Sequence, residues 1–267
     1  MIENMKTVLK KACGYIIGKM KIITIIKQIL VSIRNKCKIC KYQLGGIIRH
    51  SSINPGTEDW LINTEIKYGG IHTNVPRTKV SPKDPRSEKQ LLIGGMIGGD
   101  RMLHHGYASN YSKYLIPFVM RGKPLTLVEI GILKGTGLAI WCELFKNGRI
   151  LGFDIDLEHI NKNMKNLKKI GAFQNNHPEL YEFDQFLDNT ELIGGLLKGD
   201  KIDICIDDGY HSNSSILNTM KNIIPYLADE FVYFVEDNKE VHKEIRKLYP
   251  KYFIVNEGYL TIVSNSL

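Results

Sequence analysis

The chain has 267 residues, 43% of them hydrophobic and 24% charged, which suits a folded protein with one large core and excludes an intrinsically disordered chain. Its formal net charge of +8 is unevenly distributed. Residues 1–50 contain eleven Lys and Arg against one acid, a net charge of +10, so the rest of the chain carries −2. Because the body is nearly neutral, we expect no nucleic-acid partner.

Residues 1–50 are predicted to form a basic helical arm. Their apolar stretch YIIGKMKIITIIKQILVSI is interrupted by Lys19, Lys21 and Lys27, whereas a spanning helix needs about 20 mostly uncharged residues. We see no cleavage site of a secretory signal after it. Two interpretations stay open: peripheral contact with anionic lipid or a lipid-linked substrate, or a packing arm of the homo-oligomer that we expect.

The cysteines favour a reducing compartment. There are five, an odd number, and no secretory signal accompanies them. Cys37 and Cys40 form a lone CxxC, which lacks the second pair that a structural zinc site needs. Cys142 and Cys205 lie in apolar runs and are predicted to be core residues. We therefore expect a cytoplasmic protein, peripheral to the membrane if the arm binds lipid.

Regular structure is predicted to begin only after an irregular stretch. Residues 51–96 are rich in Pro and Gly, which indicates a connecting region or a lid. Residues 97–267 are predicted to form the main domain. Its apolar runs alternate with helical stretches, as in a series of βαβ units. The seven predicted strands are 125–131, 149–155, 179–183, 202–207, 231–236, 251–256 and 259–264.

The predicted fold class is α/β, a Rossmann-like, mostly parallel seven-stranded sheet. The last two strands are separated only by Glu257 and Gly258, so they are predicted to form a terminal antiparallel hairpin. In such sheets, ligands bind outside the carboxyl ends of the strands. The residues that follow each strand are therefore the ones to inspect for a site.

The first predicted strand ends in EIGILKGTG, an acid followed by three glycines: Glu129, Gly131, Gly135 and Gly137. Glycines here let the backbone turn sharply and approach a nucleoside, although the spacing is not the GxGxxG of dinucleotide sites.

Polar residues that follow the next two predicted strands also support a nucleoside site. Asp154 ends the second strand, where a carboxylate can accept hydrogen bonds from two ribose hydroxyls. Asp184 and Gln185 follow the third strand, where an adenine edge would lie. All three are predicted to bind the cofactor.

At this point the sequence resembles the class I S-adenosylmethionine-dependent methyltransferases. Within them, IDDGYH and the later VEDN resemble the Mg-dependent O-methyltransferases of sugar hydroxyls, the group of the macrocin and mycinamicin enzymes. That family carries DDGSH after strand four and an ED pair ending strand five. The matching positions here are Asp208, His211, Glu236 and Asp237, and Tyr210 replaces the family's serine. The resemblance implies S-adenosyl-L-methionine and Mg²⁺ as cofactors.

The acids of these two motifs also indicate a metal site on physical grounds. Asp208 follows strand four, and Glu236 and Asp237 end strand five, so a parallel sheet brings all three to one edge. Three crowded anions repel each other unless a cation lies among them, and hard oxygen ligands suit Mg²⁺. His211 lies three residues beyond Asp208 and is predicted to be the general base. Asp208 and His211 are the predicted catalytic residues.

The segment GGDRMLHHGYASNYSKYL before the first strand resembles a His- and Tyr-rich helix of the family. By that resemblance Asp100, His105, Tyr107 and Tyr111 line the cofactor or acceptor pocket, and Tyr107 is assigned to the cofactor. The other interpretation is an amphipathic helix whose aromatic residues pack at helical spacing.

The resulting hypothesis is an S-adenosylmethionine- and Mg²⁺-dependent O-methyltransferase that acts on a sugar hydroxyl of a glycoside or a polysaccharide precursor. A methyltransferase of a catechol-like or other small diol is the alternative enzyme, since its metal chemistry would be the same. A non-catalytic nucleoside-binding scaffold is the alternative from another class. A nicotinamide-dependent oxidoreductase is disfavoured by the glycine spacing.

Overall fold

A computed structural model describes residues 54–69 and 99–265, together with the isolated residues Ile26, Leu30, Ile33, Cys37, Cys40 and Ser87. The predicted basic arm (1–50) and connecting region (51–96) therefore lie mostly outside the described residues. None of the helices in the described part has the length and apolar character needed to span a bilayer.

The described chain contains one seven-stranded sheet, which confirms the predicted fold class. Its strand order is β3-β2-β1-β4-β5-β7-β6, with β1 to β5 parallel and β7 antiparallel to both of its neighbours. The strands are β1 (Thr126–Ile130), β2 (Arg149–Asp154), β3 (Glu179–Glu182), β4 (Ile202–Asp207), β5 (Leu227–Val235), β6 (Phe253–Glu257) and β7 (Leu260–Ser264).

Helices cover both faces of this sheet, so the central strands are buried on both sides and are continuously apolar. In β4, for example, Ile204, Cys205 and Ile206 are all fully buried. The helices are α1 (Glu58–Tyr68), α2 (Ala108–Arg121), α3 (Thr136–Leu144), α4 (Glu158–Lys169), α5 (Thr190–Leu197), α6 (Asn213–Ile223) and α7 (His242–Leu248).

Helix α1 lies within the stretch that the sequence predicts to be irregular. Thr57 caps it by accepting a hydrogen bond from the Trp60 N–H, and Leu61, Ile62 and Tyr68 are buried in the main core. The nearby prolines and glycines mask this pattern in the sequence. This part of the predicted connecting region therefore packs as part of the body, while the boundary at residue 97 stays a prediction.

The terminal hairpin forms as predicted, but its position in the sheet could not be read from the sequence. Strand β7 lies between β5 and β6, so the last strand of the chain is inserted next to the centre. The turn consists of Gly258 and Tyr259, and Gly258 has a φ of +71°. The chain therefore forms the edge strand β6 first and then turns back to form β7 beside β5.

The register of the parallel strands brings the predicted site residues to one edge. Ile130 of β1 pairs with Asp207 of β4, and Asp207 pairs with Val235 of β5. The residues that follow these three, including Asp208 and Glu236, therefore leave the sheet side by side. We call this region the carboxyl edge.

Gly131, which follows β1, lets the loop after β4 pass close to the end of β1. Its φ is +84°, and a Cβ at this position would lie 2.1 Å from the carbonyl oxygen of Asp208. Gly122, which ends α2, has a φ of +61° but has nothing within 4 Å of the corresponding point. The two glycines therefore differ in steric room and share the positive φ.

Gly131→Ala should destabilise the fold more than Gly122→Ala. Positive φ costs either alanine roughly 1–2 kcal/mol, and the collision with the Asp208 backbone raises the loss at Gly131 to about 3 kcal/mol or more. Urea denaturation of both variants measures the difference in the free energy of unfolding. Equal losses would show that the backbone at Asp208 is free to move away.

Candidate active site

A cleft opens to solvent at the carboxyl edge. Its wall is formed by the end of β1 and the beginning of α3, and by the turn that follows β4. The residues that line it include Gly99, Arg101, Glu129, Gly131, Gly137 and Asp208. Three of the predicted cofactor residues thus share one cleft with a predicted catalytic residue.

The guanidinium of Arg101 joins three carboxylates at the bottom of this cleft. Nη1 lies 2.8 Å from Glu129 Oε1, Nη2 lies 2.9 Å from Asp208 Oδ2, and Nε lies 2.5 Å from Glu236 Oε1. The Arg101 side chain is only 8% exposed. Burial alone would lower the pKa of Arg101, but the surrounding carboxylates, Glu236 first, raise it well above its usual value. The arginine is therefore charged and its partners hold it in place.

Burial raises the pKa values of Glu129 and Asp208, the two carboxyl groups that both line the cleft and contact this guanidinium. For Glu129 the burial is opposed by Arg101, and for Asp208 it is reinforced by Glu236 and opposed by Arg101. The second oxygen of Glu129, Oε2, is buried and makes no hydrogen bond of ordinary geometry within the described residues. An interaction with Trp141 also lowers the pKa of Glu129, so the protein itself holds this carboxylate.

Glu236 faces away from solvent and is only 2% exposed. In addition to its ion pair with Arg101, it accepts a short hydrogen bond from the Tyr111 hydroxyl. Tyr111 is itself fully buried and stacks between Phe234 and Trp141. Tyr111 therefore fits the interpretation of the segment before β1 as an amphipathic helix whose aromatic residues pack in the core.

Asp208, His211 and Asp237 form a more exposed group at the same edge. One donor atom from each lies within 4.8 Å of the others, and His211 Nε2 is 3.8 Å from Asp208 Oδ1. Asp237 and His211 have φ values of +55° and +64°, which are rare for residues with side chains and recur at functional sites. Two carboxylates and an imidazole at this spacing fit a divalent cation.

Asp237 also contacts the segment before β1. It accepts a 2.7 Å hydrogen bond from the Tyr107 hydroxyl, and its Oδ1 is 3.8 Å from His105 Nδ1. The other nitrogen of His105, Nε2, faces Asp100. The hydrogen bond between His105 and Asp100 outweighs the effect of burial and raises the pKa of His105 to about 9. Tyr107, predicted to contact the cofactor, thus contacts a predicted metal ligand.

Two amide side chains hold the loop that carries His211. Gln185 Oε1 accepts a 2.7 Å hydrogen bond from the Tyr210 N–H, and Asn238 Nδ2 donates a 2.9 Å hydrogen bond to the His211 carbonyl. Gln185 Nε2 also donates to Asp207, the residue whose pKa burial raises to about 7. Gln185, predicted to contact adenine, is buried and supports the loop, and it does not line the cleft.

The remaining predicted cofactor residues lie around the glycine-rich loop. Asp154 accepts a 2.9 Å hydrogen bond from the Leu133 N–H, so it fixes this loop from the end of β2. Gly135, with a φ of +78°, precedes α3, and a Cβ there would collide with Ile160. Asp184 caps the next turn by accepting a hydrogen bond from the Phe186 N–H. These three residues do not line the cleft.

No pattern in the sequence pointed to Arg101 or Glu65 as site residues. Arg101 follows a Gly-rich run without any motif, and its partners lie 28 to 135 positions away in the chain. Glu65 of α1 is 1% exposed and accepts hydrogen bonds of 2.8 and 3.0 Å from the Met102 and Leu103 N–H groups. It therefore holds the turn that positions Arg101.

The fold and the site together define a Rossmann-like α/β domain with a cleft and an acidic group at the carboxyl edge of its sheet. No protein-family profile matches the chain. Two curated proteins do match. The chain is 28% identical over 147 residues to the 8-demethyl-8-alpha-L-rhamnosyl tetracenomycin-C 2'-O-methyltransferase of Streptomyces olivaceus, and this alignment covers 52% of the chain and 35% of that protein. It is 26% identical over 141 residues to the mycinamicin VI 2''-O-methyltransferase of Micromonospora griseorubida, covering 50% of this chain and 31% of that protein.

These alignments confirm the predicted resemblance to S-adenosylmethionine-dependent methyltransferases of the mycinamicin type. They span about a third of the length of each relative. Solved structures with a similar fold include the MycE methyltransferase in complex with Mg, SAH and mycinamycin VI, with a TM-score of 0.46 and 17% identity over 59% of this chain and 48% of that one. Another is the O-methyltransferase from Bacillus cereus in complex with SAH, with a TM-score of 0.45 and 14% identity over 57% of this chain and 79% of that one.

Replacing Glu65 should change how stability depends on pH. Burial raises the pKa of Glu65 from 4.5 to about 7, so the stabilising contribution is complete below pH 4.5 and is lost as the pH rises through 7. Between pH 4.5 and 7.5 the wild type should therefore lose roughly 3 kcal/mol relative to Glu65→Gln. Urea denaturation across this range tests it, with the exposed Glu58→Gln as the control. Parallel curves for wild type and Glu65→Gln would contradict it.

Proposed function

We propose that the protein is an S-adenosylmethionine- and Mg²⁺-dependent O-methyltransferase that acts on a sugar hydroxyl of a glycoside or a polysaccharide precursor. The carrying observation is the convergence of Asp208, His211 and Asp237 at the rim of a cleft whose wall contains Glu129. A methyl donor and a chelated acceptor need two adjacent sites of this kind. The curated sugar O-methyltransferases that match half of the chain support the same assignment.

The cleft residues suit the methyl donor. Glu129 lines the cleft at the end of β1, and Asp154 holds the glycine-rich loop from the end of the neighbouring strand. Gly131 and Gly137 also line the cleft, and the absence of side chains there lets the Asp208 backbone and the Glu129–Arg101 ion pair pack against them. These residues bind and orient the donor, and much of the rate enhancement comes from alignment of the two reactants.

Asp208 and Asp237, the exposed acids of the group with His211, suit a divalent cation. Asp208 and Asp237 supply the hard oxygen ligands that Mg²⁺ prefers, and Mg²⁺ commonly keeps water at its other positions. When bound, the donor supplies an electrophilic methyl group and the cation supplies a Lewis acid that lowers the pKa of a chelated hydroxyl. Asp208 is placed to serve both sites because it lines the cleft as well as the edge.

His211 is the proposed general base. Its Nε2 lies 3.8 Å from Asp208 Oδ1, so it is beside the metal-binding acids and is 32% exposed to an incoming acceptor. Asn238 holds the backbone carbonyl of His211 and Gln185 holds the N–H of Tyr210, so the backbone that carries the imidazole is fixed. The imidazole accepts the hydroxyl proton as the oxygen takes up the methyl group.

His211→Ala should lower the turnover number by about 10²- to 10⁴-fold and leave the affinity for S-adenosylmethionine within about threefold of wild type. The reason is that the imidazole takes part in proton transfer and does not line the cleft. Methyl transfer from labelled donor to a panel of nucleotide sugars, glycosides and catechols measures the turnover, and calorimetry with S-adenosylmethionine and with NAD measures binding. EDTA should abolish transfer and Mg²⁺ should restore it.

The control variant is His177→Ala, an exposed histidine before the amino end of β3, which should keep full activity. Transfer to catechols alone would favour the diol enzyme. Donor binding without transfer to any acceptor would favour the non-catalytic scaffold, and full activity of His211→Ala would refute the base.

We also propose peripheral contact of the basic arm with an anionic membrane surface. Within the arm, Ile26, Leu30, Ile33, Cys37 and Cys40 are helical and exposed. Their spacing of four, three, four and three residues places them on one face of a helix. An exposed apolar face in a segment of net charge +10 suits adsorption to anionic lipid.

Flotation with liposomes that contain phosphatidylserine tests this contact. The full chain should float at low salt, recovery should fall at high salt because basic residues are screened, and a chain without residues 1–50 should stay at the bottom. Neutral liposomes serve as the control. Equal recovery of both chains would instead favour the packing arm of an oligomer.

A further inference from the structure

The amino edge of the sheet, where the parallel strands begin, carries exposed basic residues. Helix α2 precedes β1, α4 precedes β3 and α7 precedes β6, so the carboxyl ends of these helices lie at this edge. Asn176 ties the segment after α4 to it, because its Nδ2 donates 2.7 Å hydrogen bonds to the carbonyls of Phe145 and Gly148 just before β2. The exposed lysines in or just after these helix ends are Lys123, Lys168, Lys169, Lys247 and Lys251.

These five lysines form no ion pair in the part of the chain that the structure describes. Arg149 at the same edge, in contrast, is paired with Glu179 and Asp200. A lysine in the last turn of a helix is favoured by the helix dipole, which accounts in part for the position of the charges. The ammonium groups are therefore available to an anionic partner outside the chain.

The two edges of the sheet differ in the sign of their charge. Acidic residues end or follow the strands at the carboxyl edge, among them Glu129, Asp154, Asp208 and Asp237. Residues 51–267 carry a net charge of only −2, the +8 of the chain less the +10 of residues 1–50, so positive and negative charges are separated within the body. An anionic surface would therefore attract this body by its amino edge and repel it by its carboxyl edge.

Large apolar side chains are exposed at the same basic edge. Met120 in the last turn of α2 is 81% exposed, and Leu248, which ends α7, is 58% exposed. Ile170 after α4 and Phe253 at the start of β6 are each 44% exposed. The helix dipole favours lysines here but gives no reason for exposed apolar side chains. Apolar groups beside unpaired lysines are the combination that binds to the interface of an anionic membrane.

The exposed apolar residues after β3 have a different charge environment. Phe186 and Leu187 lie between Asp184 and Asp188 in the chain, on the side of the carboxyl edge. Two acids beside an apolar pair disfavour contact with anionic lipid. The amino edge therefore suits such a surface better than this loop does.

We propose that the folded body docks on an anionic membrane surface through its amino edge. The four exposed apolar side chains of this edge enter the interface, and the lysines around them contact the lipid headgroups. A nucleic acid would use the lysines but not the apolar side chains, so lipid fits the edge better. The docking does not rest on the proposed methyl transfer, and it adds a contact made by the body to the one proposed for the basic arm.

This docking sets the direction in which the cleft faces. The central strands β1 and β4 are five and six residues long, so the two edges lie about 15–20 Å apart. The cleft at the carboxyl edge then faces away from the lipid. Under the proposed function, an acceptor would reach it from the aqueous side.

Tryptophan fluorescence of the full chain tests which edge meets the lipid. Leu248→Trp places the new side chain at the amino edge, and the matched control Tyr259→Trp places it in the hairpin at the carboxyl edge, where Tyr259 is 50% exposed. With vesicles of phosphatidylserine and brominated phosphatidylcholine, the fluorescence that Leu248→Trp adds to the wild type should shift to the blue and be quenched about twofold or more. Tyr259→Trp should show neither change. Equal quenching of both variants would overturn the inference.

Charge variants test the electrostatic part of the docking. Lys123→Gln combined with Lys169→Gln removes two charges at the amino edge. The matched control, Lys113→Gln combined with Lys162→Gln, removes two exposed charges from the first halves of α2 and α4, nearer the carboxyl edge. In sedimentation with phosphatidylserine vesicles at low salt, the edge pair should lower the partition coefficient about tenfold or more and the control less than about threefold. Equal losses would show that the body has no preferred orientation and would refute the docking.

The proposals on the arm, the body and the enzyme can fail separately. All substituted residues are exposed, so thermal melting followed by circular dichroism should match the wild type. If the full chain binds vesicles but Leu248→Trp is not quenched, the contact of the arm stands and the docking of the body is wrong. If the full chain binds no vesicles, or binds duplex DNA instead, both membrane proposals are wrong. Methyl transfer to the acceptor panel without vesicles decides the proposed methyltransferase independently.

Discussion

A single buried guanidinium holds the carboxyl edge of this protein together. The parallel register of β1, β4 and β5 brings Glu129, Asp208 and Glu236 to adjacent strand ends, where their negative charges would repel each other. Arg101 contacts all three. Since α1 provides the carboxylate that fixes the turn after this arginine, a helix far from β1, β4 and β5 in the sequence is also part of the site. The arrangement of the acids thus depends on a segment that precedes the sheet.

This interaction divides one acidic edge into two environments. Glu129 and Glu236 are buried and form ion pairs with Arg101, whereas Asp208 and Asp237 remain partly exposed beside His211. The cleft and the exposed acidic group therefore lie next to each other, with the Arg101 guanidinium at the bottom of the cleft. Asp208 belongs to both environments, and this makes it the residue through which the two sites are connected.

The backbone conformation of His211 and Asp237 positions their side chains beside Asp208. His211 and Asp237 both have positive φ values, which cost free energy and persist only where the surroundings enforce them. Asn238 holds the His211 carbonyl and Gln185 holds the N–H of the preceding residue, so amide side chains from two loops enforce this conformation. Gly131 allows the loop to pass close to β1. The loop is therefore fixed by polar contacts and by close packing.

The sequence by itself determined the strands and the acids that follow them, because apolar runs with polar ends are local patterns. It predicted the seven strands to within a few residues and located Asp208, His211, Glu236 and Asp237 at one edge. It did not reveal α1, the insertion of β7 between β5 and β6, the supporting role of Gln185, or Arg101. Only the tertiary structure decided which carboxylate faces the guanidinium and which faces solvent. That choice depends on contacts between residues far apart in the chain, and no local pattern of residue types encodes it.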